Sequence, residues 1–373
     1  MEEFFICSGC GEEHPISERT VLNEQELCER CLVEETILCA RCGERIYRDD
    51  NAGNDDTPLC QSCYDRYYSS CIRCGVPVHN DDAFYAADDG DECEPLCSEC
   101  YHHTENGKPI HEYSYKPDPI FYGEGDRYFG VELEVDGAGE LGSNARVLLT
   151  AANTQEEHAY CKHDGSLNDG IEIVTHPMTL RYHQDTMPWP CVLHAALDMG
   201  YTSHLARTCG LHIHVNRTAF GDTEQQQDIS IARILYFFEK HWEELLKFSR
   251  RTESQLRHWA ARYGYKEQPM DILDHAKKGC GSERYSSVNL VNRETIEFRI
   301  FRGTLKLNTL IATLQLVDKI CDVAISSSDD ELKGLSWTSF AASLSAEQSP
   351  ELVQYLKERR LYVNEPVAAE GEV

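Results

Sequence analysis

Residues 129–135 read FGVELEV, and this stretch decides the fold of the larger part of the chain. Val131, Leu133 and Val135 alternate with Glu132 and Glu134, the period of a half-buried β-strand. Three later segments repeat the design. GIEIVTHP (170–177) sets Ile171 and Ile173 against Glu172. CGLHIHVN (209–216) sets Leu211, Ile213 and Val215 against His212, His214 and Asn216. TIEFRIFRGTL (295–305) sets Phe298 and Ile300 against Glu297 and Arg299. Counting by twos places Arg302 opposite Arg299 unless a bulge intervenes. Helical patterns fill 144–160, 189–200, 224–262 and 308–326, with Ser/Thr/Asp or Gly at several of their ends. Half-buried strands interleaved irregularly with helices predict an α+β fold with an antiparallel sheet rather than a doubly wound parallel one.

The polar faces of these strands carry the chemistry. A solvated face mixes Lys, Thr, Ser and Gln. Here the positions are Glu-x-Glu, Glu, His-x-His and Glu-x-Arg. Carboxylates and imidazoles gathered on one face repel or lose hydration unless a cation sits among them, and a divalent metal is the natural candidate. A mainly oxygen donor set with one or two imidazoles suits Mg2+ or Mn2+ better than zinc. Arg299 beside them points to a phosphate-bearing substrate.

The N-terminal third is built differently. Twelve of the 18 cysteines form six Cys-x2-Cys pairs: Cys7/Cys10, Cys28/Cys31, Cys39/Cys42, Cys60/Cys63, Cys71/Cys74 and Cys97/Cys100. The pairs are separated by 17, 17 and 22 residues within three modules and by 7 and 7 between them, an internal repeat. Two such turns complete a zinc tetrahedron, so three zinc ions are expected. Four thiolates close the coordination shell, which makes the sites structural. Gly11, Gly43 and Gly75 follow the first pairs and suit a tight knuckle. Pro-Leu precedes the second pair in the last two modules (Pro58-Leu59, Pro95-Leu96), which selects Cys97 over Cys93 as the ligand. The pattern resembles treble-clef or LIM-like fingers, each a knuckle, a short hairpin and a second knuckle opening a helix. A disulfide scaffold is the competing reading; the acidic start MEEFFICSGC, which is not expected to act as a signal peptide, and the cysteines outside the Cys-x2-Cys pairs argue against it.

The net charge is −29. Residues 1–125 hold 28 acidic against 9 basic residues, a net of −19, so nucleic acid is not expected as a partner. No apolar run reaches the roughly 18 residues that cross a bilayer, and a cytoplasmic protein without membrane attachment is expected. The domains are expected at 1–35, 36–68 and 69–105 for the zinc modules, 106–127 for a linker and 128–373 for the catalytic part.

Six segments, in order, match a known pattern: FGVELEV, KHDGSL (162–167), GIEIVTHP, CGLHIHVN, RYSSVNL (284–290) and TIEFRIFRGTL. With these the second domain resembles the amidoligase family of the glutamine synthetase superfold. The resemblance implies a glutamine synthetase-like antiparallel sheet with outer helices, and ATP as co-substrate. A carboxylate is phosphorylated to an acyl phosphate, and an amine displaces phosphate to give an amide. It further implies that Glu132, Glu134, Glu172, His212 and Glu297 hold two or more Mg2+ or Mn2+, with His214 binding metal or substrate. Arg299 would clamp phosphate, with Arg284 and Arg302 assisting, and Asp164 would position or deprotonate the amine.

Two other functions fit the residues. One is a metal-dependent hydrolase of amide or phosphoester bonds. The other is a zinc-finger interaction protein with an inactive ligase-like domain. The acidic zinc arm suggests a protein partner, or a peptide or protein substrate that it recruits. Among the remaining residues, Lys162 is expected on the surface and Cys209 as a buried structural thiol. His102, His103 and His111 are expected to be solvated. His14 and His79 follow knuckles but stand in excess of four ligands. Tyr236, Phe237, Phe238 and Trp242 read as helix core.

Overall fold

A computed structural model describes residues 3–85, 94–105, 108–206, 208–278 and 285–362. The chain divides into two compact units, Met1–Lys108 and Pro109–Val373. Most of the segment expected as a linker therefore lies in the second unit. There Tyr115 is buried. His111, expected to be solvated, is buried too, and its N–H donates to Cys161 O (2.9 Å).

The first unit repeats one plan three times. Each first cysteine pair lies on a hairpin: Phe4–Ile6 with Glu13–Pro15, Thr36–Leu38 with Arg45–Tyr47, and Tyr68–Ser70 with Pro77–His79. The amides of Gly11, Gly43 and Gly75 donate to the carbonyls of Cys7, Cys39 and Cys71 at 2.8, 2.9 and 2.8 Å. The three glycines have φ of +74°, +72° and +74°, the left-handed region that a Cβ makes costly. Cys28 and Cys60 open the helices Glu29–Glu35 and Gln61–Tyr67, and Cys97 directly precedes Ser98–Glu105. The Pro-Leu register holds: Ala40 N–H donates to Pro58 O (2.8 Å) and Ile72 N–H to Pro95 O (3.0 Å). Cys93 lies outside the described residues.

No spacer separates the modules. Glu35 ends one helix and Thr36 begins the next hairpin; Tyr67 and Tyr68 repeat the arrangement. Arg48 Nε donates to Glu34 O (2.9 Å), and the Arg41 guanidinium lies 3.5 Å from the centre of the Tyr67 ring. Each module buries only a few apolar side chains besides its cysteines, such as Phe5 and Leu27 in the first. Cores this small depend on metal for folding.

The second unit is built on an antiparallel sheet, six-stranded among the described residues. In chain order its strands are β1 (Phe129–Asp136), β2 (Ala159–Lys162), β3 (Gly170–Thr175), β4 (Gly210–Asn216), β5 (Val288–Asn289) and β6 (Thr295–Arg302). Their spatial order is β2-β3-β1-β4-β6-β5. The expected α+β class is what is found. Two short strands, β2 and β5, were not expected. β2 replaces the end of the helix expected over 144–160, which stops at Ala152. The helix expected over 224–262 is three: Glu224–Lys240, Trp242–Ser249 and Glu253–Trp259. Arg250 breaks it with a φ of +60°.

One face of the sheet is fully apolar. Val131, Leu133, Val135, Ile171, Ile173, Leu211, Ile213, Val215 and Phe298 are all at or below 1% exposure. They join the outer helices in one hydrophobic cluster, with Phe238 against Phe298 (ring centres 5.6 Å apart) and Phe248 against Phe301 (5.9 Å). Each such side chain contributes about 1.5–3 kcal/mol by leaving water, so the strand register is firmly fixed. That register places the polar side chains in turn: Glu134 opposite Glu172, Glu132 opposite His212 and His214 opposite Glu297. Between Ile213↔Phe298 and Leu211↔Phe301, β6 gains a residue, the bulge that period counting left open. Among the described residues no helix is long and apolar enough to cross a membrane.

Candidate active site

The opposite face of the sheet is polar in sequence yet largely buried. Glu134, Glu172, His212 and Glu297 are 3%, 3%, 4% and 5% exposed. His212 stands at the centre. Its Nδ1 lies 3.2 Å from Glu132 Oε2 and 3.6 Å from Glu297 Oε1, and its Nε2 lies 3.7 Å from Glu134 Oε1. His214 Nε2 lies 3.1 Å from Glu132 Oε1 and 4.0 Å from Glu297 Oε1. Arg299 donates to Glu297 Oε1, and Asn289 Nδ2 holds Glu297 Oε2 at 2.8 Å. Gly210 N–H donates to Glu134.

Burial and neighbours pull these groups apart. Burial raises Glu132, but His214 and His212 outweigh it and hold the carboxyl well below the usual range. Glu134 is pushed up by burial, partly offset by His212. Glu172 is pushed well above its ordinary value by burial and by Glu132. Burial lowers His214, but Glu132 more than restores it. Lys162, expected on the surface, is instead buried at the end of β2, with Nζ 3.7 Å from Glu172 Oε2.

The donors fit a divalent cation. One oxygen each of Glu132 and Glu297 and one nitrogen of His212 lie within 4.8 Å of one another. A cluster this acidic and this dry costs several kcal/mol per uncompensated charge. An ion bound there would relieve that cost, and carboxylate with imidazole is a donor set Mg2+ or Mn2+ accepts. The three cysteine groups fit zinc in the same way: within each, four sulfurs lie within 4.8 Å. Burial raises Cys7, Cys39 and Cys71, but backbone amides outweigh it and bring each thiol to about 6. His14 Nε2 lies 3.4 Å from Cys10 Sγ, so this histidine stands beside the first zinc site.

Two cavities adjoin the row. A polar one of about 400 Å³ is lined by Glu134, His212, Asp164, Arg251 and Arg299, with Tyr113, Trp259 and Tyr285 among its aromatic walls. A larger, more apolar one of about 850 Å³ is lined by Phe121, Tyr128, Pro119, Pro177 and His214. His212 thus borders one cavity and His214 the other.

Residues 150–321 match the family model described as "Putative amidoligase enzyme". The amidoligase match covers Glu172, His212, His214, Glu297 and Arg299, and stops short of Glu132 and Glu134 on β1. It spans less than half of the chain, and over that span the expected resemblance holds. No curated protein matches the chain. The solved structure of a bifunctional glutathione synthetase from Pasteurella multocida is similar over 63% of this chain at 14% identity. The similar region is 46% of that chain, and the TM-score is 0.29, too low to support an argument.

Of the residues expected in the amidoligase site, Glu132, Glu134, His212, His214, Glu297 and Arg299 come together. Asp164 joins them through the polar cavity, where its Oδ1 accepts from Ser166 N–H (2.7 Å). Glu172 sits one strand further out, tied to Lys162. Arg302 is not brought in. The bulge returns it to the polar parity, opposite Gly210, but at the strand end it donates to Arg250 O (3.2 Å) and lines a separate small cavity with His204. Arg284 lies outside the described residues. Cys209 is buried as expected, its thiol pushed up to about 12 by burial. Sequence reading missed Arg251, which lies in a turn with no periodicity to give its direction.

Proposed function

We propose that the second unit is an ATP-dependent carboxylate–amine ligase. The observation that carries this reading is the Glu132–His212–Glu297 donor set with Arg299 at its edge, standing between a polar and an apolar cavity. The amidoligase match over 150–321 supports it. The apolar cavity suits a nucleotide base and ribose, with the phosphates directed past His214 toward the carboxylate row. The polar cavity suits the acid and the amine.

A carboxylate oxygen of the substrate attacks the γ-phosphorus of ATP, and ADP leaves. The amine nitrogen then attacks the acyl carbon, phosphate leaves, and the amine proton passes to Asp164. Glu132, Glu134, His212 and Glu297, with Glu172 and His214 beside them, would hold Mg2+ or Mn2+, which supplies charge neutralisation on the phosphate oxygens. Arg299 donates to the transferring phosphoryl group. The zinc arm recruits a peptide or protein that is either substrate or partner.

The test is ADP release by the full chain with Mn2+ against a panel of carboxylates and amines, with mass spectrometry of the product. Amide product with stoichiometric ADP, lost in Glu297→Ala, is expected. Peptide hydrolysis without ATP would instead identify a hydrolase. Unchanged activity on the native substrate after removal of residues 1–105 would exclude recruitment by the arm.

A further inference from the structure

The first zinc module differs from its two neighbours at one internal position. Four residues after Cys10, Cys42 and Cys74, the returning hairpin strand carries His14 opposite Phe5, Ile46 opposite Ile37 and Val78 opposite Ser69. Ile46 and Val78 are buried aliphatic residues, the natural filling of so small a core. His14 is only half-buried, and its Nε2 faces Cys10 Sγ at 3.4 Å. The fold does not ask for a histidine here, since the same plan is completed twice without one.

Three unlike donors meet at this place. Cys10 Sγ, one carboxylate oxygen of Glu12 and one ring nitrogen of His14 lie within 4.8 Å of one another. The knuckle itself brings Glu12 in, because Cys7 N–H donates to Glu12 O (3.0 Å). Behind the ring, His14 Nδ1 lies 3.6 Å from Glu18 Oε2. A carboxylate at one ring nitrogen keeps the proton there and leaves the lone pair of the other for a metal. That lone pair faces an electron-rich sulfur. Four thiolates around one Zn2+ carry a net charge of −2, and a zinc-bound thiolate retains lone pairs for a second cation. Cys10 is partly exposed, whereas Cys7, Cys28 and Cys31 are buried. The nearby guanidinium of Arg30 is exposed and is drawn first to Glu34, ahead of Glu12 and Cys10.

We propose that Cys10, Glu12 and His14 form a second cation site on the first module, with the Cys10 sulfur bridging to the structural zinc. A sulfur, an imidazole and a single carboxylate suit a borderline divalent ion, Zn2+ or Co2+, rather than Mg2+ or Mn2+. Three protein donors leave a fourth position open, so this ion exchanges while the closed four-thiolate sites hold theirs. Dialysed protein keeps three zinc ions, and the further ion is taken up when free metal is supplied. Glu44 repeats Glu12 in the second module, but Ile46 offers no donor there, and the third module has Val76 and Val78 at these positions. The site therefore belongs to the first module, and it does not depend on the ligase reading.

The test adds Co2+ to the full chain already loaded with three zinc ions. Zinc outcompetes cobalt at the four-thiolate sites, so these stay filled. Cobalt on the carboxylate–imidazole row of the sheet has no sulfur donor. The expected mark of the new site is a sulfur-to-cobalt charge-transfer absorption that saturates at one cobalt ion per chain. His14→Ile installs the residue of the second module. It should keep three zinc ions and the far-UV signal of the arm, and lose the absorption. Glu18→Gln should reach the same absorption with a Kd raised about 10- to 100-fold. An absorption of equal size and Kd in wild type and His14→Ile, as from another thiol such as the exposed Cys191, overturns the proposal. Absence of the absorption from the wild-type chain overturns it as well. So does a His14→Ile chain that holds only two zinc ions, because His14 would then belong to the structural tetrahedron.

Discussion

His183 is expected to make the second unit acid-sensitive. It is 1% exposed, and both ring nitrogens are engaged. Trp189 Nε1–H donates to Nδ1 (3.3 Å), so Nδ1 accepts, and Nε2 faces Phe129 O at 3.0 Å as the donor. A second proton would have to enter at Nδ1, against the indole N–H. Burial accordingly lowers the pKa to about 4, from 6.5. The folded value lies below the unfolded one. The stabilisation is therefore complete above pH 6.5 and is lost as pH falls toward 4. Between pH 7.5 and 4.5 the loss comes to about 2.5 kcal/mol. All four tryptophans (Trp189, Trp242, Trp259, Trp337) lie in the second unit, so indole fluorescence in urea reads its unfolding apart from the zinc modules. Wild type is compared with His183→Gln at both pH values. His176 and His241, also lowered to about 4 by burial, contribute to both proteins and cancel in the difference. The stability advantage of wild type should shrink by about 2.5 kcal/mol on acidification, a midpoint change of roughly 1 M urea. An advantage that is the same at pH 7.5 and 4.5 would refute the protonation argument.

Other outcomes follow from the site and the arm. Mn2+ at about 100 times its Kd should stabilise the second unit by about 2.7 kcal/mol, and Glu297→Gln should remove most of that gain. Calorimetry in buffers of different ionisation heat should show proton release on Mn2+ binding that grows as pH is lowered, because burial raises both Glu134 and Glu172; release that does not change with pH would contradict that direction. Gly210→Ala should displace His212 and Arg251 together and abolish the Mn2+ stabilisation, at a cost of about 1–3 kcal/mol in stability. Metal analysis should find three zinc ions per chain, and a chelator should remove far-UV signal from the arm while leaving indole fluorescence unchanged.

What sequence could reveal depended on periodicity. β1, β3 and β4 alternate cleanly because one face is core and the other carries the functional row, so both were legible together. β2 (AYCK) and β5 (VN) are short edge strands, too brief to show a period. Lys162 looked like surface because its partner, Glu172, becomes its neighbour only through the β2–β3 register. The three-helix break at His241 and Arg250 carries no Gly or Pro to announce it. Arg251 follows the left-handed Arg250, where the chain direction, and hence the side chain's destination, is set by tertiary structure. The zinc ligands needed no fold at all, since each knuckle is complete within a few residues.

The absence of spacers between the zinc modules bears on how the arm meets proteases. A protease needs several residues of yielding backbone to draw into its cleft, and interdomain linkers usually supply them. Here the helix ending at Glu35 gives way to a strand at Thr36, and the same occurs at Tyr67 and Tyr68. Digestion of the zinc-loaded chain should therefore spare these junctions and cut elsewhere first. Removing the metal should open them, so that cleavage at each junction becomes a record of whether its neighbouring zinc sites were filled.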